Sequence, residues 1–270
     1  MLVCSLGDLV LDVVVRLEQP LARGGDATSR ITIEPGGQAA NVAAWVAVLG
    51  GSSRWIGKRA TDDGGRLAAD RLAAYGVELF GPVAETGRGG VVVSLVDPDG
   101  ERTMCPDRGA AVDFRPDELD PAWLAGADWL HVSGYALFVE HVRSAALDAV
   151  EVARAAGARV SVDLASWSGI RDVGVEPFRA ILEVIAPDVV FANQDEARLI
   201  GGPPPGAAWI EKRGADGCSF DGDERPALPV ERVIDTTGAG DALAAGWLVD
   251  GPERALEAAA RCVLQPGAMP

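Results

Sequence analysis

The sequence predicts an α/β fold: a doubly wound, mostly parallel sheet flanked by helices, with a small β-sheet lid. From residue 129 onward, short apolar runs alternate with helical patterns, as strands and crossover helices do in a parallel sheet. Before residue 129, two β-branched segments, near residues 10–34 and 90–105, interrupt the strand–helix pattern of the chain and predict the lid. A chain of 270 residues, 48% hydrophobic, is long enough to bury a large core.

The N-terminal strands are predicted from runs of residues that are apolar or alternate between apolar and polar. Strands are predicted at residues 2–6, 9–17, 27–34, 55–57, 91–96 and 101–105. Helical spacing that ends at glycine predicts helices over residues 38–49 and 65–75. The sequence Asp-Pro-Asp-Gly at 97–100 is a turn that joins the last two strands into a hairpin.

The C-terminal elements continue the alternation. Strands are predicted at residues 129–132, 159–163, 189–192, 208–212 and 217–220. Helices are predicted at residues 141–156, 177–185, 195–200, 242–248 and 254–264. The predicted α/β core comprises residues 1–9, 36–88 and 107–270, and the predicted lid comprises two insertions at residues 10–35 and 89–106.

The most informative segment is Asp-Thr-Thr-Gly-Ala-Gly-Asp at residues 235–241, which precedes an apolar run. Its glycines permit a sharp turn where a helix begins, and the first amides of a helix suit an anion such as phosphate. Asp241 adds a base beside that anion site. An aspartate at a helix start is often only an N-cap. The helix that follows is apolar on every side, which predicts that it is buried and favours a catalytic role.

Residues 235–241 resemble the signature of the PfkB, or ribokinase-like, carbohydrate kinases. The resemblance implies that Asp241 deprotonates a sugar hydroxyl, while the amides of Gly238, Ala239 and Gly240 hold the transferring phosphate. It also implies a ribokinase-like fold, ATP as phosphoryl donor and Mg²⁺ as cofactor. The expected reaction is phosphorylation of a hydroxymethyl group on a small sugar or nucleoside.

Two further segments resemble the substrate-binding motifs of the family. In Gly-Asp-x-x-x-Asp at residues 7–12, Asp12 would accept hydrogen bonds from sugar hydroxyls, although an outward-facing strand residue is the alternative. Gly-Gly-Gln-Ala-Ala-Asn at residues 36–41 resembles a second such motif, which implies that Gly37 and Asn41 also bind the substrate. Asp163 ends a predicted buried strand, so it either reaches the ligand cleft or only starts a turn.

Other segments resemble the motifs that bind nucleotide and metal in the family. In Asn-Gln-Asp-Glu at 193–196, Glu196 would act on Mg²⁺ through water, since Mg²⁺ prefers oxygen ligands and retains waters. A helix-capping pattern is the alternative for these residues. Asp235 matches a position near a monovalent cation, such as K⁺, in some relatives. The residues implied to bind nucleotide are Asn193, Lys212, Gly214, Gly217 and Thr236.

The composition of the chain limits the classes of molecule that it is expected to bind. A net charge of −16 argues against nucleic acid and anionic membranes, since both need basic surface. The four cysteines are scattered without metal-ligand spacing, and neither a signal-peptide pattern nor an apolar run of membrane-spanning length occurs. These features predict a cytoplasmic protein. The exposed edges of the lid need covering, which suggests a homodimer through the lid.

Two other nucleotide-binding classes fit poorly. A dinucleotide-binding fingerprint would need a third glycine where Leu243 stands, and no Walker phosphate-binding motif occurs. Residues 201–208 and the compact C-terminus shorten the nucleotide side, so weak ATP binding, a different phosphoryl donor and a non-catalytic sugar-binding relative all remain open. The substrate also remains open. Three arginines flank the lid hairpin: Arg88, Arg102 and Arg108. They either bind an acidic or phosphorylated sugar or are solvated surface charges. The substrate expected by default is a neutral pentose, hexose or nucleoside.

Overall fold

The computed structural model describes residues 1–99 and 102–270. The predicted turn at 97–100 and strand at 101–105 include residues 100 and 101, which lie outside the described residues. The strands are β1 (Leu2–Leu6), β2 (Val10–Leu17), β3 (Ser29–Gly36), β4 (Ser52–Ile56), β5 (Arg59–Ala60), β6 (Glu78–Phe80), β7 (Val83–Ala84), β8 (Gly90–Val96), β9 (Arg102–Asp107), β10 (Trp129–Ser133), β11 (Arg159–Asp163), β12 (Val189–Asn193), β13 (Ala208–Lys212), β14 (Cys218–Phe220) and β15 (Asp223–Arg225). The helices are α1 (Gln38–Val48), α2 (Asp63–Ala74), α3 (Gly134–Leu137), α4 (Glu140–Ala155), α5 (Trp167–Val173), α6 (Val175–Ile185), α7 (Gln194–Ile200) and α8 (Ala239–Cys262).

The large sheet has nine strands among the described residues, in the order β15-β14-β13-β12-β11-β10-β1-β4-β6. The pairings from β13 to β6 are parallel, and the two pairings at the β15 edge are antiparallel. The chain leaves β1 toward β4 and later returns to β10 on the other side of β1. The strand order therefore reverses between β1 and β10, and open α/β sheets bind ligands at the carboxyl ends of the strands near such a reversal.

Apolar cores cover both faces of this sheet. On one face, Leu130 and Val160 belong to a buried cluster with residues of α4 and α6. On the other, Trp129 and Phe191 cluster with residues of α1 and α8. In the first half of α8, residues 242–246 and Leu248 are buried, in accord with the prediction that this apolar segment lies in the core. The predicted doubly wound, mostly parallel architecture is confirmed.

A second sheet, called the small sheet below, consists of β3, β2, β8 and β9 in that order. Its outer pairings are antiparallel, whereas β2 and β8 run parallel. In this register Asp12 lies opposite Glu34 on one side and Val92 on the other. The four strands come from the two segments predicted as the lid, so a small second sheet is present as expected. That this sheet moves as a lid stays a prediction.

The differences from the sequence-based elements concern short segments. The sequence did not predict the short strands β5, β6, β7 and β15 or the short helices α3 and α5. The helices predicted at 242–248 and 254–264 form the single kinked element α8, with non-helical backbone at Asp250 and Gly251. Gly251 has a φ of 78° and Pro252 follows it, which explains the kink. Within the described residues, no helix combines the length and apolar character needed to span a membrane.

Candidate active site

A cavity of about 580 Å³ lies between the carboxyl ends of the large-sheet strands and the small sheet. The strand ends supply Asp8 after β1, Tyr135 after β10, Asp163 of β11, Asn193 of β12 and Lys212 of β13. The predicted site residues that line it are Asp12, Gly37, Asn41, Asp163, Asn193, Glu196, Lys212, Gly238 and Asp241. The fold thus gathers at one place side chains that are far apart in sequence.

Gly238 and Asp241, at the N-terminus of α8, line this cavity, whereas Ala239 and Gly240 between them are not part of its lining. Gly238 has a φ of 78°, and a Cβ there would lie 2.5 Å from Cα of Ala268, so glycine is required. Among the described residues, no protein acceptor binds the N–H of Gly238 or Gly240. The N–H of Ala239 instead donates to the Thr236 carbonyl at 3.3 Å. Of the three amides predicted to hold phosphate, two therefore lack a protein acceptor and Ala239 is engaged in the turn.

Asp241 lies in the first turn of α8 and lines the cavity. Nδ2 of Asn41 donates to its Oδ2 at 2.7 Å. Burial, with a smaller effect of the Asp163 carboxylate, raises the pKa of Asp241 from 3.8 to about 7, although the Asn41 hydrogen bond and Lys212 oppose the change. A carboxylate with a pKa near neutrality is suited to general-base catalysis at physiological pH.

Lys212 forms a buried ion pair at the same place. Its Nζ lies 2.6 Å from Oδ2 of Asp163, whose side chain is fully buried. Burial alone would lower the pKa of Lys212, but the Asp163 and Glu196 carboxylates outweigh it and the pKa is raised, so the ammonium stays charged. A Cβ on Gly240 would lie 3.3 Å from this Nζ. Lys212, predicted on the nucleotide side, thus also places positive charge beside the α8 N-terminus.

Asn193 and Glu196 form a capping box at the start of α7. The backbone N–H and Nδ2 of Asn193 donate to the two Glu196 oxygens at 2.7 and 2.9 Å. The capping alternative is therefore realised, and the same two residues also line the cavity. Burial raises the pKa of Glu196 to about 7, with Lys212 acting in the opposite direction.

The end of the cavity near the small sheet is rich in hydrogen-bond acceptors. The Asp12 carboxylate accepts no hydrogen bond from the described residues, and burial raises its pKa to about 6. Oδ1 of Asn41 and Oε1 of Gln38 are likewise buried without a partner in the described part of the chain. Gly37 has a φ of 100°, and a Cβ there would lie 2.4 Å from the Asp8 carbonyl oxygen, which explains the glycine. Gln38 was not singled out from the sequence.

Arg108 and Tyr135 complete one wall of the cavity. Arg108 binds Asp8 through two hydrogen bonds, including Nη2 to Oδ1 at 2.8 Å, and its guanidinium lies 5.7 Å from the centre of the Tyr135 ring. No sequence motif identified Tyr135 as a site residue. Its position after β10, at the carboxyl edge of the sheet, was the available signal.

Asp235 lies outside this cavity lining and binds two arginines. Its carboxylate, 4% exposed, forms ion pairs with Arg16 and Arg102 and accepts hydrogen bonds from the N–H and hydroxyl of Thr237. Despite burial, these hydrogen bonds and the arginine charge lower the pKa of Asp235 to about 2. The arginines already supply the positive charge that the predicted monovalent cation would bring to this carboxylate.

Three residues predicted to bind nucleotide do not line the cavity. They are Gly214, Gly217 and Thr236. A Cβ on Gly217 would lie 2.1 Å from the Arg225 carbonyl oxygen, so packing against the chain after β15 accounts for that glycine. Arg88 is also outside the lining, where it forms an exposed pair with Asp107.

Comparison with known proteins places this arrangement in a family. The profile of the pfkB family carbohydrate kinases matches residues 1–263. The chain belongs to the PfkB family. An ATP-dependent ribose-1-phosphate kinase from Halopiger xanaduensis is 35% identical over 96% of this chain and 90% of its own length. A probable fructokinase-4 from Arabidopsis thaliana is 31% identical, covering 92% of this chain and 81% of its own.

Solved structures agree on the fold of this PfkB-family chain. A candidate ribokinase II from E. coli, in complex with ATP and Mg²⁺, has a TM-score of 0.85 at 23% identity and covers 99% of this chain and 94% of its own. The ribokinase-like fold predicted from the sequence is thus confirmed. The chain is a carbohydrate kinase by family, hence a phosphotransferase.

Proposed function

We propose that this PfkB-family chain transfers the γ-phosphoryl group of ATP to a hydroxymethyl group of a small sugar or nucleoside. One observation carries the proposal: at the N-terminus of α8, the Asp241 carboxylate lies beside amides that have no acceptor in the described part of the chain. Asp241 takes the hydroxyl proton, the oxygen forms a bond to the γ-phosphorus, and the bond from that phosphorus to ADP breaks. The N–H groups of Gly238 and Gly240 stabilise the charge on the phosphoryl oxygens.

Lys212 and Glu196, which also line the cavity, support the transfer. The Lys212 ammonium adjoins Gly240, where it attracts phosphate oxygens that the net charge of −16 otherwise repels. Mg²⁺ prefers oxygen ligands, and the Glu196 carboxylate, held by two hydrogen bonds from Asn193, lies at the cavity wall. When bound there through water to Glu196, Mg²⁺ would neutralise the charge of the ATP phosphates.

The acceptor-rich end of the cavity favours a neutral, polyhydroxylated substrate. Asp12 and Asn41 offer oxygens that lack protein donors among the described residues, and sugar hydroxyls are donors of the required kind. Arg108 is engaged by Asp8, which leaves its charge largely neutralised.

A phosphorylated sugar is the second candidate. Arg102 and Arg108 both line the cavity, and the relative from Halopiger xanaduensis is named for ribose-1-phosphate. A substrate phosphate would compete with Asp8 or Asp235 for these guanidiniums. The two candidates therefore differ in whether either arginine must exchange its carboxylate partner.

The test is a coupled assay of ADP release with Mg-ATP and a panel of ribose, fructose, adenosine and ribose-1-phosphate, each product being identified by phosphorus NMR. The proposal predicts sugar-dependent ADP release and a new phosphomonoester. Sugar binding by thermal shift without ADP release would instead support a non-catalytic relative. Preference for ribose-1-phosphate over the neutral sugars would support the second candidate.

We also propose a homodimer through the small sheet. Ile31 and Ile33 of the edge strand β3 are 59% and 44% exposed, and apolar edge strands tend to be covered. Light scattering after gel filtration tests it: the proposal predicts a dimer for the native chain and a monomer for Ile31→Lys/Ile33→Lys. A native monomer at micromolar concentration would contradict it.

A further inference from the structure

Two arginines of the small sheet converge on the carboxylate that begins the 235–241 segment. Nη2 of Arg16, on β2, lies 2.7 Å from Oδ2 of Asp235, and Arg102, on β9, contacts Oδ1. Val96 of β8 is in register with both arginines. The three strands therefore hold the two guanidiniums in one row, on either side of a single core carboxylate.

The remaining donors around Asp235 come from its own loop and from the C-terminal segment. The N–H and Oγ1 of Thr237 donate to Oδ1 at 2.8 and 2.6 Å, and the N–H of Gly267 lies 3.4 Å from Oδ2. A carboxylate has about four lone-pair positions, so these donors and the two guanidiniums fill it. A monovalent cation needs oxygen lone pairs and is repelled by adjacent guanidinium charge. The residues around Asp235 do not fit such a cation.

We propose that Arg16 and Arg102 replace a monovalent cation at Asp235, so that phosphoryl transfer by this chain is independent of K⁺. Both are positioning residues. They fix Asp235, Asp235 fixes Thr237, and Thr237 directly precedes Gly238 at the α8 N-terminus. Because both arginines belong to the small sheet, they also tie the position of that sheet to the amides that hold phosphate. The effect on catalysis rests on the proposed function, whereas the effect on cation binding does not.

The experiment compares KCl with choline chloride at equal concentration, by two readouts: initial rate of ADP release and midpoint of thermal unfolding. The variants are Arg16→Gln, Arg102→Gln and the double variant. Arg30→Gln is the matched control, because Arg30 is an arginine of the same sheet in an exposed pair with Glu18. The native chain and the control should give the same rate and midpoint in both salts.

The double variant should lose roughly tenfold to a hundredfold in rate in choline chloride, as expected for a misplaced phosphate site. KCl should restore much of that loss and raise its midpoint by about 2–4 °C, because the freed carboxylate now binds K⁺. Activation or stabilisation of the native chain by KCl over choline chloride would overturn the inference. A double variant indifferent to KCl would also overturn it.

These outcomes separate the inference from the proposed function. If no sugar of the panel is phosphorylated, the proposed function fails, and the unfolding midpoints still decide the cation inference. If the double variant does not fold, the two single variants and the native chain are compared in the same way.

Discussion

Asp241 is the residue on which the proposed chemistry depends most directly. Asp241→Asn keeps the size of the side chain and its place beside Asn41 but removes the base. We expect turnover to fall by about 10²- to 10⁴-fold, the usual contribution of a general base, with KM for the sugar nearly unchanged. Steady-state ADP release measures both. Asp148→Asn, an exposed aspartate of α4, is the control and should behave as the native chain; equal turnover of the two variants would exclude Asp241 as the base.

The hydrogen bond from Asn41 tunes this base. Its Nδ2 donates to the Asp241 carboxylate, which favours the ionised form and opposes the effect of burial. The pKa of Asp241 is about 7, so kcat/KM should fall as the pH drops below 7 and the base is protonated. Removing one such hydrogen bond in Asn41→Ala should move this acidic limb upward by roughly one pH unit. A lower rate with the limb at its native pH would mean that Asn41 acts on the substrate alone.

At the residue scale, the sequence located much of the candidate site because its motifs are local. Gly238, Asp241, Asn41 and Asp12 could be selected from short segments and all line one cavity. Arg108 could not be placed, because its partner Asp8 lies 100 residues away in the chain. Contacts of that separation depend on strand order, which composition and spacing do not specify.

The N-terminus of α8 is the element that orients the proposed phosphate site. Gly238 and Gly251 share a φ of 78°, yet a Cβ would clash with Ala268 at Gly238 and meets open space at Gly251. The ψ angles differ: Gly238, with ψ −2°, is left-handed helical, where alanine costs about 1–2 kcal/mol, whereas Gly251, with ψ −161°, lies in a region essentially confined to glycine, where alanine costs about 1–3 kcal/mol. The clash with Ala268 adds roughly another 1–3 kcal/mol at Gly238 alone. Gly238→Ala should therefore lower the free energy of unfolding more than Gly251→Ala in urea titrations.

The two glycine variants should also differ in catalytic activity. Gly238→Ala should also reduce turnover at least tenfold, because a displacement of the first turn misplaces the amides. Gly251→Ala, at the kink of the same helix, should keep native turnover. Native turnover in a folded Gly238→Ala would show that the start of α8 does not hold the phosphate.

At the element scale, length decides what could be predicted. The long, strongly patterned segments, such as β2 and α4, were found with boundaries within a few residues. Helix α3 spans four residues, and an isolated turn of that length has no stability of its own. It forms where the chain after β10 packs against α4, a tertiary contact that no local pattern records.

At the scale of the whole molecule, the fold brings distant charges together. Arg16 and Asp235 are 219 residues apart in sequence, and Arg102 and Asp235 are 133 apart. The lid prediction placed both arginines on one sheet, but only the packing of that sheet on the core gives them a common partner. The cation expectation at Asp235 came from a local motif and omitted these distant charges.

The carboxylates that line the cavity also make the stability of the whole protein depend on pH. Burial raises the pKa values of Asp241 and Glu196 to about 7 and that of Asp12 to about 6. A group whose pKa is higher in the folded state binds more protons there than in the unfolded chain, so its contribution to stability is present at low pH. That contribution is lost as the pH rises through the folded pKa. Asp235, with a pKa of about 2, acts in the opposite sense and only below about pH 4.

The native chain should therefore lose stability between pH 5 and pH 8. For Asp241 alone, a folded pKa of about 7 against an ordinary value of 3.8 corresponds to about 2–3 kcal/mol over this interval. Asp241→Asn does not titrate, so it should exceed the native chain in free energy of unfolding at pH 8, and the excess should shrink or reverse at pH 5. Urea titrations at the two pH values measure the difference, with Asp148→Asn as the surface control. If the difference in free energy of unfolding between the variant and the native chain is the same at pH 5 and pH 8, Asp241 keeps an ordinary pKa. If the difference is smaller at pH 5, ionisation of the proposed base destabilises the whole fold.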